Sequence, residues 1–124
     1  MSTTILITED NEDTCSLLRF LLERQGYAVA SATDGRAALE WIDANEPPAL
    51  ALLDVMLPHM SGLQLVTNLR SRPEWQDVPI VMLTAKSDEG DIVRALEAGA
   101  NDYICKPFQP RELMARLKRF VQPA

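Results

Sequence analysis

The chain has 124 residues, 47% of them hydrophobic, with 12 basic and 18 acidic side chains and a formal net charge of −6. That suffices for one core and not for two domains, so residues 1–124 are expected to form a single unit. The acidic balance excludes nucleic acid or an anionic membrane as a partner of the chain as a whole. Two separated cysteines, Cys15 and Cys105, an N-terminus without a basic segment and no bilayer-length apolar run lead to the expectation of a reduced, cytoplasmic setting.

Residues 3–8, TTILIT, read as a short β-rich strand. Over 13–25, Leu17, Leu18, Leu21 and Leu22 recur at helical spacing, and Gly26 supplies a C-terminal stop. YAVASA at 27–32 is the second strand. The second helix, 34–46, has Ala38, Trp41 and Ile42 on one face and is ended by Pro47 and Pro48. ALALL at 49–53 is a strand that runs into Asp54. The third helix is expected from Gly62 to Ser71, with Leu63, Leu65, Val66 and Leu69 as its apolar residues. A loop, 71–79, leads to the strand IVMLT at 80–84. The fourth helix covers 88–98, with Ile92, Val93 and Leu96 inward and Gly99 closing it. DYIC at 102–105 is the last strand, and 110–120 the last helix, with Pro110 in its first turn.

Strands and helices in strict alternation imply an α/β fold, a parallel sheet with helices on both faces. Strands 49–53 and 80–83 are apolar throughout, as strands covered on both sides are. In such a sheet the loops after the strand C-termini share one edge, and ligands bind there. Glu9 and Asp10 follow the first strand, Asp54 the third, Thr84 ends the fourth and Lys106 follows the fifth. Each alone has an ordinary explanation as a turn, a cap or a solvated side chain. Their convergence on one edge is what calls for chemistry.

Three carboxylates brought together repel one another. A hard divalent cation resolves this, and an all-oxygen set suits Mg²⁺, with Mn²⁺ as an alternative. Adding a lysine and a hydroxyl gives a phosphoryl-transfer site with Asp54 as nucleophile. No ATP-binding loop is present, so the phosphoryl group has to arrive already activated.

Glu9–Asp10, DVMLPHMSG at 54–62, LTA at 83–85 and GANDYICKPF at 99–108 together resemble the receiver domain of two-component response regulators, over essentially the whole chain. The resemblance implies a flavodoxin-like three-layer sandwich with strand order 2-1-3-4-5. It implies that Asp54 accepts a phosphoryl group from a phosphohistidine on a sensor histidine kinase or phosphotransfer protein. Mg²⁺ would be held by Glu9, Asp10, Asp54 and the backbone carbonyl of Met56. Thr84 and Lys106 would contact phosphoryl oxygens, small Ala85 would leave room, and the Lys106–Pro107 bond would be cis. Thr84 and Tyr103 would be the switch pair, and Met56 and Lys86 would tune hydrolysis. Asp54 itself would be partly exposed at the crevice edge.

Residues 84–103 carry an excess of three negative charges and 110–124 an excess of three positive ones. This suits an isologous dimer across helix four, strand five and helix five. Glu97, Asp102, Arg116 and Lys118 resemble the intersubunit pairs of DNA-binding receivers. Glu112 lacks its usual basic partner because Ile92 stands there. His59, the only histidine, reads as a solvated loop residue, and Cys105 as an inert thiol. A stand-alone receiver and the front piece of a longer regulator with an output domain both remain open. Three rival readings fit the residues less well. A flavin carrier is disfavoured by the acidic EDNED loop, and an aspartyl-phosphate hydrolase by Met56, where such enzymes have a second acid. An unphosphorylated interaction module is disfavoured by the complete set of acid, Thr and Lys positions.

Overall fold

The computed structural model describes residues 3–85 and 89–121. Strands and helices alternate as β1 (Thr4–Thr8), α1 (Glu12–Arg24), β2 (Ala28–Ala32), α2 (Gly35–Ala44), β3 (Leu50–Asp54), α3 (Gly62–Arg70), β4 (Ile80–Ala85), α4 (Glu89–Ala98), β5 (Asp102–Lys106) and α5 (Pro110–Leu117). All strand pairs are parallel, in the order β2-β1-β3-β4-β5. The last strand runs one residue further than its apolar pattern suggests and so includes Lys106; the last helix ends at Leu117, short of the expected 120.

Helix starts are written locally. Asn11, Asp34 and Ser61 each accept a backbone N–H from the first turn of α1, α2 and α3, and Ser61 and Gln64 form a reciprocal capping box. Each cap contributes about 1 kcal/mol. Alternation along the strands then divides the core between the two faces of the sheet. Ile5 and Ile7 join Leu18 and Leu22 of α1 and Leu113 and Leu117 of α5. Leu6 joins Ala38 and Ile42 of α2 and Leu65, Val66 and Leu69 of α3.

Two departures from the sequence pattern matter. The 71–79 loop contains a 3-10 turn, Pro73–Trp75, that buries Trp75 in the core. In α4 the expected inward stripe is wrong: Val93 and Leu96 are 52% and 43% exposed, Ile92 is half-buried, and Ala95 is the buried residue. The apolar periodicity was real, but α4 turns its small residue to the sheet, which lets it lie close to α3 and leaves the large ones outside.

The strand N-terminal end is tied by Arg70 at the end of α3. Its guanidinium donates to the carbonyls of Gly99 (2.9 Å), Trp75 (2.6 Å) and Val78 (2.8 Å) and to Asn101 Oδ1 (2.8 Å). Gly99 has φ +119°, and a Cβ there would lie 2.8 Å from Arg70 Cγ, so glycine is required both by conformation and by space.

Candidate functional site

Asp54 is the last residue of β3, the central strand, in register with Leu83 of β4. Its Oδ1 accepts the Met56 N–H at 2.9 Å, and its Oδ2 accepts from Lys106 Nζ at 2.6 Å. The same Nζ lies 2.7 Å from Glu9 Oε1. Glu9 Oε2 accepts the Asn11 N–H at 3.0 Å. One lysine from β5 thus bridges acids from the ends of β1 and β3.

Asp10 completes the cluster. Glu9, Asp10 and Asp54 can each bring a carboxylate oxygen within 4.8 Å of the others. Asp10 is exposed, whereas Glu9 and Asp54 are buried. Asp54 is only 4% exposed, which corrects the expectation of a partly exposed acid. The reason is the register: Asp54 still lies within the sheet, opposite Leu83, and Lys106 offsets its charge there. Burial holds the Glu9 carboxyl above its usual range, although Lys106 and the Asn11 N–H pull it down and Asp54 pushes it up. Burial lowers the Lys106 pKa, but Asp54 and Glu9 outweigh it and hold the ammonium above its usual value. A dense oxygen cluster with one fixed cation fits a hard divalent ion and a transferring phosphoryl group.

The loop after β3 is shaped by close contact. A Cβ on Gly62 would lie 2.2 Å from the Asp54 carbonyl oxygen, and the Gly62 N–H donates to Val55 O at 2.9 Å. Glycine at 62 is what lets α3 start against the backbone that carries Asp54. Met60 N–H donates to Pro58 O at 2.7 Å across His59, whose φ is 68°, a strained γ-turn. His59 is exposed, and the Met56 side chain is 72% exposed.

Thr84 is buried at the end of β4, its hydroxyl 3.5 Å from the Ala85 carbonyl and so loosely held. Ala85 is exposed and in register with Lys106. The Lys106–Pro107 peptide is cis. Tyr103 is half-buried, with the Arg116 guanidinium 5.7 Å from its ring centroid. Lys86 lies outside the described residues. Glu97, Glu112 and Lys118 are exposed. Asp102 is buried and holds Arg116 at 3.1 Å and Arg119 at 3.5 Å; Arg116 also reaches Glu112 at 3.6 Å. Asp102 and Arg116 therefore meet inside one chain, and Arg119 shares the carboxylate. The backbone donors Met56 N–H and Asn11 N–H also escaped notice, because a main-chain donor has no signature in residue type.

A family model described as "Response regulator receiver domain" matches residues 5–118. The phosphate regulon transcriptional regulatory protein PhoB of Escherichia coli is 45% identical over 123 residues, 98% of this chain and 53% of PhoB. The chain spans about half the length of the curated relatives it matches. The receiver domain of the sensor histidine kinase PA1611 from Pseudomonas aeruginosa, solved with a magnesium ion coordinated in its active site cleft, superposes with a TM-score of 0.87 at 32% identity, covering 97% of this chain and 98% of that one. Chemotaxis response regulator CheY4 of Vibrio cholerae gives a TM-score of 0.91 at 27% identity, covering 98% and 100%.

Proposed function

This chain belongs to the response regulator receiver domain family of two-component systems, and we propose that Asp54 is the residue that carries its phosphoryl group. The observation behind this is Lys106 Nζ, held between Asp54 Oδ2 at 2.6 Å and Glu9 Oε1 at 2.7 Å. The donor is a phosphohistidine on a sensor histidine kinase or phosphotransfer protein. A carboxylate oxygen of Asp54 bonds to phosphorus as the P–N bond breaks, and the imidazole leaves with the electron pair.

Glu9, Asp10 and Asp54, with the Met56 carbonyl, are the groups that would hold Mg²⁺ or Mn²⁺, and the ion would supply charge neutralisation at the phosphoryl oxygens. The protein's own groups do the rest. Met56 N–H orients Asp54, and Lys106 balances charge on the transferring group. The loosely held Thr84 hydroxyl turns to a phosphoryl oxygen, in the space beside Ala85, and Tyr103 follows it. The thioether of Met56 offers an attacking water no useful partner, so dephosphorylation is slow, with Lys86 the other tuning position.

The chain is a switch that catalyses only its own phosphotransfer and its own slow hydrolysis, and it works in the cytoplasm. No helix among the described residues is long and apolar enough to cross a membrane. The surface that is read is that of α4, β5 and α5, through an output domain, a homodimer using Glu97, Glu112 and Lys118, or both; Asp102 and Arg116, paired within the chain, shape that surface. Exposed Val93 and Leu96 support that choice of face.

The test is intact mass after incubation with acetyl phosphate and Mg²⁺. Wild type gains one phosphoryl group and Asp54→Asn gains none. Labelling of Asp54→Asn, or of wild type without a divalent ion, would sink the reading.

A further inference from the structure

α1 carries two apolar faces. Leu18 and Leu22 are buried in the core. Leu17, Phe20, Leu21 and Arg24 follow one another at i, i+3, i+4 and i+7, a second face along the same helix. Leu17 is 44% and Phe20 55% exposed, so the fold leaves this stripe largely uncovered. The outer face of a surface helix is ordinarily polar, and a contiguous apolar stripe there marks a contact surface.

The stripe runs into a groove between α1 and α5. Leu21, Met114 and Ala115 give the groove an apolar lining around a volume of about 510 Å³. Leu21 and Met114 are half-buried because they also pack on the core. Arg24 of α1 and Arg111 and Lys118 of α5 line the same groove, and all three are exposed. Among the described residues no carboxylate lines it, and neither Arg24 nor Arg111 is in an ion pair. Three cations in one groove reverse the balance of a chain whose net charge is −6. The Arg24 guanidinium lies 5.5 Å from the Phe20 ring centroid, so charge and apolar surface are interleaved.

We propose that this groove docks an acidic amphipathic helix of a partner protein. Apolar side chains of that helix would cover Leu17, Phe20, Leu21 and Met114, and its carboxylates would reach Arg24, Arg111 and Lys118. Nucleic acid would engage the cations and leave the apolar stripe wet. An uncharged apolar helix would cover the stripe and bury it beside unmatched cations. Only an acidic amphipathic helix satisfies both halves of the groove. Of the residues named for the homodimer, only Lys118 belongs to it, and docking does not depend on phosphorylation of Asp54.

The probe is a fluorescein-labelled helical peptide of about 16 residues, with leucine at i, i+3, i+4 and i+7 and glutamate on its remaining surface. Fluorescence anisotropy with the unphosphorylated chain should show saturable binding that weakens with salt. Arg111→Glu places an acid in the first turn of α5, where the helix tolerates it, and should weaken binding about tenfold. Phe20→Ser, at an exposed position, should also weaken it about tenfold. If Phe20→Ser does not fold, Arg111→Glu carries the test. No saturable binding would overturn the proposal, as would binding that both variants retain at wild-type strength. Equal affinity for a scrambled peptide of the same composition would reduce the groove to charge alone and overturn it. So would tighter binding of double-stranded DNA, or a wild-type chain that pairs with itself through Phe20 in sedimentation velocity.

Discussion

Lys106 and Arg70 are partly buried cations at opposite ends of the sheet. Lys106, where the strands end, faces two carboxylates at 2.6 and 2.7 Å. Arg70, where the strands begin, faces the neutral carbonyls of Gly99, Trp75 and Val78 and the amide oxygen of Asn101. The electrostatic outcome differs in sign. Carboxylates hold the Lys106 pKa up against burial, whereas burial lowers that of Arg70 despite the charge of Asp77. A cation matched by anions sits in a balance that a divalent ion or a phosphoryl group can shift. A cation matched by backbone carbonyls is a tie between chain segments and has nothing to exchange. The same chemistry of burial thus makes one end a switch and the other a frame.

Removing each cation separates these roles. Lys106→Met should abolish phosphoryl incorporation and cost about 3–5 kcal/mol at neutral pH, because it leaves buried carboxylates unopposed. The urea midpoint should recover with added Mg²⁺. It should also recover as pH falls: Glu9, held above its usual range by burial, binds a proton more readily folded than unfolded, so stability rises on acidification. A deficit that ignores both Mg²⁺ and pH would contradict the charge-balance account. Arg70→Met should cost about 2–4 kcal/mol through unmatched carbonyls, with no Mg²⁺ dependence. Its phosphoryl incorporation should match wild type at temperatures where it is folded. Loss of labelling by the folded variant would erase the distinction between the two ends.

Smaller effects sharpen it. Thr8 is fully buried at the crevice end of β1, and its hydroxyl has no hydrogen-bond partner among the described residues. Thr8→Val should stabilise by about 1 kcal/mol in urea unfolding, and a loss of stability would reveal a partner for that hydroxyl. At the other end, Tyr27 is buried, and burial holds its phenol above its usual pKa. The folded state then keeps the phenolic proton more tightly than the unfolded one. This contribution is complete below about pH 10 and is lost as pH rises through the folded pKa. Tyr27→Phe should flatten that part of the stability–pH curve, and an unchanged slope would exclude Tyr27 as its source.

Much of the site could be read before folding because its residues stand at strand ends. Each apolar run stops at an acid, a threonine or a lysine, and a parallel sheet brings those stops to one edge. The frame was less legible. Arg70 is one arginine at the end of an amphipathic helix, and its acceptors are carbonyls of Trp75, Val78 and Gly99, which no residue type announces. Trp75 lies in a stretch of proline and charge that reads as loop, yet the 3-10 turn carries it into the core.

Residue pattern alone sets the alternation of strands and helices and which polar residues stand at the strand ends. These depend on periodicity and on neighbours within a few positions. Tertiary structure alone decided that Asp54 is buried, that Lys106 spans two acids, that Asp102 meets Arg116 and Arg119 within its own chain, and that α4 buries Ala95 and exposes Val93 and Leu96. Periodicity tells which side chains share a face. Only packing decides which face finds a neighbour, because that depends on the shapes and charges of segments distant in the chain.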